Sequence, residues 1–470
     1  MDYPFLGLMT LSAVLKKNKH ESDALIGENI EDFDAILQAE SPDAIAFSVM
    51  TGMHQWALRL GKELKQIFPA LPIIWGGPHA TFNPKTIEND GVDVICRGEA
   101  DEAILDIARA LDLKTLFDFP IPNLWLKRKD GIIKNEVRPL IHDLDTLPFP
   151  DRSLYRRYPD IGSSTTQVFM ASRGCPFDCT FCFNHQLKRL YRNKGSLVRY
   201  RTVRNLLDEI KDVAARQKVK NVYLNDDTLI LNKKWIEEFT ELYPKEIGLP
   251  FTCLIRADLA DENIIDKMAG AGCRSVFFGI ESGNETLRNE LLKKSISDRQ
   301  IHETARLLKK YKIKYRTYNI LGLPGETLED AFQTVQMNID IKTDFPWCAL
   351  FMPYPGTELG KRSKEMGLIS ESFSDNDVQC TFHSDSVLKS KCRREIENLH
   401  KFFQTAILFP WTFPIIKKLI KLPQNKLFVL WFTLIYGFIF IRSEARGWGH
   451  TILFGLKNIK HLAPALNRRK

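Results

Sequence analysis

The chain has no uninterrupted apolar run long enough to cross a bilayer as a helix, which takes about 20 residues. The run LFVLWFTLIYGFIFI at 427–441 stops at fifteen. No basic segment precedes an apolar one at the start, where Asp2 stands in place of the n-region of a secretory signal. Nine cysteines, an odd number irregularly spaced through 470 residues, exclude a small disulfide scaffold. The expected home is a reducing cytoplasm, where clustered thiols serve metal or redox chemistry. Acidic residues all but vanish from the last sixty positions, where eleven Lys or Arg stand against Glu444 alone. That bias suits an anionic surface or a solvated basic tail. Overall, 44% hydrophobic and 26% charged residues describe a globular protein of two or three domains.

What is present is alternation. DALIG (23–27), DAIAFSV (43–49), PIIWG (72–76) and VDVICRG (92–98) are short apolar runs bounded by Pro, Gly or Asp. Helical patterns such as HQWALRLGKELKQIF separate them, which predicts an α/β, doubly wound, Rossmann-like domain over 1–140. A hairpin turning at Asp130-Gly131 ends it, and 141–164, rich in Pro and Asp, reads as an extended linker. Over 165–380 a second series follows: TQVFMAS, NVYLND, FTCLIRAD, SVFFGIES, YRTYNILGLPG and WCALFMPYPG. Six β/α units predict a partial (β/α)6 TIM-like barrel with its functional groups at the C-terminal strand ends. Polar and Gly-rich residues gather at those ends: the cysteine loop, NDD, RAD, ESG, GLPGE and PYPGT. The rest, 381–470, reads as a helical, basic and apolar C-terminal region.

The stretch ASRGCPFDCTFCFNH (171–185) spaces Cys175, Cys179 and Cys182 as C-x3-C-x2-C, with His185 adding C-x2-H. A structural Cys3His zinc site has that composition. Such a zinc knits together a small module, however, and this loop follows a strand inside a large repeating domain. Three thiolates with no fourth cysteine within seventy residues would leave one iron of a [4Fe–4S] cluster without a protein ligand. An open coordination position is what a catalytic cluster requires.

CPFDCTFC, with Phe181 before the last cysteine, resembles the signature of the radical S-adenosylmethionine (SAM) enzymes. The resemblance implies that Cys175, Cys179 and Cys182 hold [4Fe–4S], that SAM chelates the unique iron, and that its cleavage yields a 5′-deoxyadenosyl radical. It implies Phe181 beside the cofactor and Asn225, Asp226 and Asp227 near the methionine amino group, although the family's Gly-Gly-Glu form is absent. Arg256 in IRAD would meet the methionine carboxylate or pair with Asp258. Glu281 and Ser282 match the ribose position, and Asn319, Gly322 and Pro324 in NILGLPGET the adenine segment.

FMPYPGTEL (351–359) resembles the sixth strand end of the cobalamin-binding branch. PFLGLMTLSAVLKKNKHES, PDAIAFSVMTGMHQWA, IIWGGPHATFNP and DVICRGEADEAI resemble its cobalamin domain, so the resemblance covers residues 3 to about 360. Gly76 and Gly77 would let backbone approach the corrin, with Ser48 and Thr51 as hydrogen-bonding groups. The chain departs from that pattern twice. It has no Asp-x-His-x-x-Gly motif, so no histidine ligand to cobalt is expected and His79 is not assigned to one. Only Met1, Asp2 and Tyr3 stand where the family has a strand, so the domain is short of its first strand or vestigial. The three further N-terminal cysteines of the methylthiotransferases are missing. Cys96, Cys253, Cys273, Cys348, Cys380 and Cys392 read as core residues.

The implied reaction is cobalamin-dependent methylation of an unactivated carbon of a lipid-like or natural-product substrate, with a flavodoxin or ferredoxin as reductant. Radical cyclisation, rearrangement or C–C bond formation without methyl transfer is the first alternative. A zinc-stabilised membrane- or nucleic-acid-binding protein is the alternative of another class, although no nucleic-acid partner is expected. Lys417, Lys418, Lys421 and Lys426 precede the apolar run, and Arg442, Arg446, Trp448 and Lys457 follow it. That arrangement fits a helix lying at a membrane interface. Packing against the barrel and spanning are the competing readings.

Overall fold

Short β-branched and aromatic runs become the parallel strands β1 (Ile45–Ser48), β2 (Ile73–Gly76) and β3 (Val94–Cys96). The structure, a computed structural model, describes residues 4–162, 164–379 and 385–444. These divide into two units. One runs up to Phe177 and adds Phe183–Asp227 and the segment from Ser374; the other holds Asp178–Cys182, Thr228–Phe373 and the C-terminal region.

In the first unit the sheet order is β1-β2-β3-β4-β5, ending in the antiparallel hairpin β4 (Leu124–Arg128) and β5 (Gly131–Lys134). The register pairs Ile45 with Ile73 and Ile74 with Val94. Ile73, Ile74 and Trp75 of β2 are all buried, as suits a parallel strand covered on both faces. Helix His54–Ile67 buries Ala57, Leu60, Gly61 and Leu64, the spacing of one helical face. Gly61 carries no side chain because a Cβ there would lie 2.5 Å from the Gly91 carbonyl oxygen.

Two sequence expectations need correction here. Residues 23–27 form no strand; the Ile26 N–H donates to the Tyr158 hydroxyl (2.7 Å) and not to a neighbouring strand. The hairpin turns at Lys129-Asp130, one residue early, with Gly131 opening β5 at φ 140°. The expected first strand would involve residues 1–3, which lie outside the described residues.

Linker residue Asp151 is pinned to the first helix, Leu6–Lys17, by Lys16 (2.6 Å) and Ser12 (2.7 Å). Burial would raise its carboxyl, but hydrogen bonds from Lys16, Ser153 and Ser12 hold it at about 2. Beyond the linker come β6 (Thr166–Phe169), β7 (Ser172–Arg173), β8 (Arg199–Tyr200) and β9 (Asn221–Leu224). β6 and β9 pair in parallel, whereas β7 and β8 form a small antiparallel ladder.

The second unit continues the β/α rhythm with parallel β10 (Phe251–Leu254), β11 (Cys273–Glu281), β12 (Lys314–Leu321) and β13 (Phe345–Leu350). Four of its helices start where the sequence offers a cap. Asn232, Asp261, Ser297 and Thr327 each accept a hydrogen bond from the backbone N–H three residues on. Helix Arg393–Leu408 covers the edge strand, with His400 Nε2 3.2 Å from the Cys348 carbonyl and Gln404 donating to Pro346 O. The apolar run lies within a nineteen-residue helix, Lys426–Glu444, tied to the unit by Trp431 Nε1 to Thr405 Oγ1 (2.8 Å) and Arg316 to Ser443 Oγ (2.6 Å). Arg446, Trp448, Lys457 and Cys380 lie outside the described residues.

Candidate active site and cofactor cavity

A cavity of about 380 Å³ opens in the first unit where β1, β2 and β3 end. Ligands in open α/β sheets bind at the carboxyl ends of strands for this reason: the strand ends present backbone groups that no further pairing uses. Ser48, Gly76 and Gly77 line it, together with Gly7 of the first helix. At Gly7 and Gly76 an added Cβ would meet no atom within 4 Å, so these residues leave open a cradle that a side chain would fill. Gly77, at φ 87°, does a different job. A Cβ there would come within 2.9 Å of Val49 N and 3.1 Å of Ser48 Oγ, so only glycine lets the ends of β1 and β2 approach. Thr51 is placed otherwise than expected. It is absent from the cavity lining, and its hydroxyl lies 3.1 Å from His79 Nδ1. His79 is buried, its other ring nitrogen 3.0 Å from Thr86, and burial and the stacked His54 push it down to about 4. Neutral and held on both ring nitrogens, His79 serves the fold.

The cavity wall reaches the base of the cysteine loop. Arg173, two residues before Cys175, makes a bidentate pair with the buried Asp101 (2.8 and 2.9 Å) and lies 3.3 Å from Glu99. Arg199, facing Arg173 across the β7/β8 ladder, makes a second fork with Glu99. The Glu99 N–H donates to the Tyr191 hydroxyl at 2.7 Å. Residues 98–101, which follow β3, are thereby clamped to the strand pair that leads into the cysteines.

Asp226 holds the same base from within. Its carboxylate accepts from Ala171 N, Ser172 N and Ser172 Oγ, and it is fully buried. Burial outweighs these hydrogen bonds and raises it to about 6, with Asp227 adding to the rise. Expected near the methionine amino group, Asp226 has its oxygens buttressing the loop in this structure. Burial also raises Asp227, against a hydrogen bond from Asn184.

In the second unit Cys179 is buried and the Cys182 N–H donates to Cys179 O at 3.1 Å. Between them Thr180 is fixed at three points, to Leu291 O, Leu292 O and Leu359 N. Arg256 makes the ion pair with Asp258 that was one of its two expected roles (3.0 and 3.2 Å), and its Nη1 lies 3.9 Å from Cys179 Sγ. Its Nη2 donates to Lys294 O, and the Lys294 ammonium bonds Glu281 at 2.6 Å and lies 6.0 Å from the Phe181 ring centre. Glu281 stands at φ 66°, a strained conformation for a non-glycine residue of the kind that functional sites retain. Gly279 makes room for the pair, since a Cβ there would fall 1.9 Å from Glu281 Oε1. Ser282 Oγ accepts from Asn284 N at 3.2 Å.

The Asn319 side chain is fully engaged within the fold. Its amide donates to Trp347 O (2.9 Å) and Thr317 Oγ1, and its oxygen accepts from Asn338 of helix Leu328–Asp340 (2.8 Å). It faces the helical layer. The turn behind it is shaped by Gly322 and Gly325, both at φ 78°, on either side of Pro324. Glu326 Oε2 accepts from Gly322 N and Leu323 N, while the buried Oε1 has no hydrogen-bond partner. Burial raises this carboxyl to about 8, so it holds a proton at neutral pH. Lys294, Glu326 and the Arg173–Asp101 pair escaped the sequence reading. The Glu after Gly-Leu-Pro-Gly and the Lys-Lys of LLKKS were the available signals.

None of the eight described cysteines is in a disulfide. Among the described residues no three Cys, His, Asp or Glu side chains already surround a metal position. The donor chemistry fits an iron–sulfur cluster nevertheless: three thiols outside any disulfide on one loop, with a guanidinium beside one sulfur. The glycine cradle fits a corrinoid.

A sequence profile of the B12 binding domain matches residues 1–108, and one of the radical SAM superfamily matches residues 170–337. The chain is a radical SAM enzyme with a B12-binding domain. This radical SAM enzyme is 28% identical over 370 residues to an uncharacterized methyltransferase of Pyrococcus horikoshii, covering 76% of this chain and 77% of the relative. It is 26% identical over 384 residues to the anaerobic magnesium-protoporphyrin IX monomethyl ester cyclase of Rubrivivax gelatinosus, covering 79% and 68%. In fold it resembles the cobalamin-dependent SAM radical enzyme OxsB, solved with aqua-cobalamin and SAM, at a TM-score of 0.67 and 17% identity over 98% of this chain and 73% of that one. The methyltransferase TsrM of Kitasatospora setae follows at 0.62 and 18%, over 77% and 73%. These likenesses agree with the α/β fold expected: a Rossmann-like domain, a TIM-like partial barrel and a helical C-terminal region.

Proposed function

We propose that this enzyme methylates an unactivated carbon, using cobalamin, a [4Fe–4S] cluster and SAM. The observation that carries the reading is the glycine-lined cavity whose wall includes Arg173, next to the cysteine loop. When bound, SAM at the cluster supplies a hydrogen-abstracting radical and cobalamin a transferable methyl group. Cys175, Cys179 and Cys182 hold the cluster as thiolates. Arg256 places positive charge beside Cys179, and Phe181 with the Glu281–Lys294 pair would orient SAM. Ser282, Asp227 and the turn of Gly322 and Pro324 complete that site. Ser48, Gly76 and Gly77 receive the corrinoid.

On this reading the domains divide as 1–140, 141–164, 165–380 and 381–470. The substrate is lipid-like or a natural product, a flavodoxin or ferredoxin supplies electrons, and the protein works in the cytoplasm against the inner face of the membrane.

The test is anaerobic purification with cobalamin supplied, followed by incubation with trideuteromethyl SAM and a lipid and metabolite extract. Label in the corrinoid fraction and in a product supports methyl transfer. The likeness to a cyclase favours a second reading, and 5′-deoxyadenosine formed with an unlabelled product would establish it. Tightly bound zinc without iron would overturn both.

A further inference from the structure

Eight of the fourteen large apolar side chains exposed on described residues fall between Phe409 and Leu434. This short segment comprises helix Phe413–Leu419, a connection, and the first half of helix Lys426–Glu444. One side is fixed to the second unit: Phe413, Ile416 and Ile420 join the core built on Leu399 and Phe403. The other side presents Trp411, Ile415, Leu427, Leu430, Trp431 and Leu434 to solvent, from 42% to 75% exposed. Trp431 shows the division within one residue, its indole N–H held by Thr405 while the residue as a whole is 42% exposed.

Along this segment the charges have one sign, although Glu395 and Glu397 of helix Arg393–Leu408 reach it at Lys421 and Gln424. Lys418, Lys421 and Lys426 are exposed, Lys417 is half-buried against Phe332 and Phe413, and between 409 and 443 there is no acidic residue. Exposed apolar side chains on a segment whose own charges are all ammonium groups fit one kind of surface well: lysines meet anionic headgroups while leucine and tryptophan enter the acyl boundary. A nucleic acid would take the lysines and leave the leucines in water. A second copy of the chain would set like charges against each other. Helix Lys426–Glu444 has the length and apolarity to cross a bilayer, but Trp431, Tyr436 and Ser443 bind it to the unit through Thr405, Trp347 and Arg316, which favours lying on the surface.

We propose that the 409–434 face docks on an anionic phospholipid surface. The inference deepens the membrane contact read above and rests on it, but not on which radical outcome the enzyme produces.

The experiment uses the full-length holoenzyme and sedimentation with vesicles of phosphatidylcholine alone or mixed with phosphatidylglycerol. Binding to the mixed vesicles, weakening as salt screens the lysines, is the expected result. Changing Lys418, Lys421 and Lys426 together to Gln is expected to weaken it by about a hundredfold, at roughly fivefold per lysine. Changing Leu427, Leu430 and Leu434 to Ser is expected to abolish the blue shift of tryptophan fluorescence on binding. These side chains face water, and both variants are expected to cleave SAM at the wild-type rate in solution. That second readout separates failure of the docking face from failure of the enzyme reading. Absence of vesicle binding, equal binding to neutral vesicles, or self-association without vesicles that the Leu variant removes would each overturn the proposal.

Discussion

Arg173 and Asp101 meet in a two-pronged ion pair at 2.8 and 2.9 Å, joining the strand before the cysteines to the loop after β3. The fork geometry matches guanidinium to carboxylate, so lysine cannot replace it fully. Both residues line the cavity, and Asp101 is only 5% exposed. One pair therefore ties the cavity wall to the strand that leads into the cysteine loop.

Removing the cation from that pair leaves a buried carboxylate unmatched. Arg173→Met is expected to destabilise the enzyme by about 3–5 kcal/mol. Bound cobalamin and iron per chain are expected to fall together, as measured by absorbance and metal analysis of the purified protein. Arg173→Lys should lie between, and a variant with full loading of both cofactors would show that the pair does not shape the sites.

The two adjacent glycines separate strain from occupancy. Gly77→Ala forces a side chain into a φ of 87° and against Val49, so thermal stability and cobalamin binding are both expected to drop. Gly76→Leu meets no protein atom at its Cβ. It is expected to leave the melting temperature of the cobalamin-free protein nearly unchanged while blocking the corrinoid, a contrast that calorimetry and equilibrium dialysis can resolve.

Loss of a single thiol is expected to remove the cluster as a unit. Cys179→Ala should lack the brown chromophore and hold well under the about four irons per chain that a [4Fe–4S] site takes. Cys253→Ala, a buried core thiol, should keep its iron, so iron retained in the first variant would contradict the ligand assignment.

The buried carboxyl of Glu326 makes stability depend on pH. Its folded value of about 8 lies above the ordinary 4.5, so the folded state keeps a proton that the unfolded chain releases. The stabilisation is complete below about pH 4.5 and is lost as pH rises toward 8. Glu326→Gln retains an acceptor for Gly322 and Leu323 but cannot ionise. Its denaturation midpoint is expected to fall less steeply than that of the wild type between those limits; identical slopes would place the titration elsewhere.

Sequence and structure part company at particular residues. The strands of the barrel series emerged where they were read, because alternation of apolar runs with capped helices is a local property: Asn232, Asp261, Ser297 and Thr327 cap helices whatever lies across the sheet. Residues 23–27 looked equally strand-like, yet a strand needs a neighbour, and Ile26 found a tyrosine hydroxyl. Asp226 and Asn319 sit at strand ends where a cofactor contact was expected. Distant residues, Ser172 and Asn338, take up their polar atoms.

By itself the sequence determined the βα order, the cysteine spacing and the positions of the glycines, since each depends on residues close together along the chain. Only the tertiary structure decided which polar groups remain free to meet a ligand. That depends on hydrogen bonds closed over long separations, such as Arg173 with Asp101 and Lys294 with Glu281. It also decided which side of the C-terminal apolar helix is covered, because the aromatic ring of Trp347 and the hydroxyl of Thr405 lie on other elements of the fold.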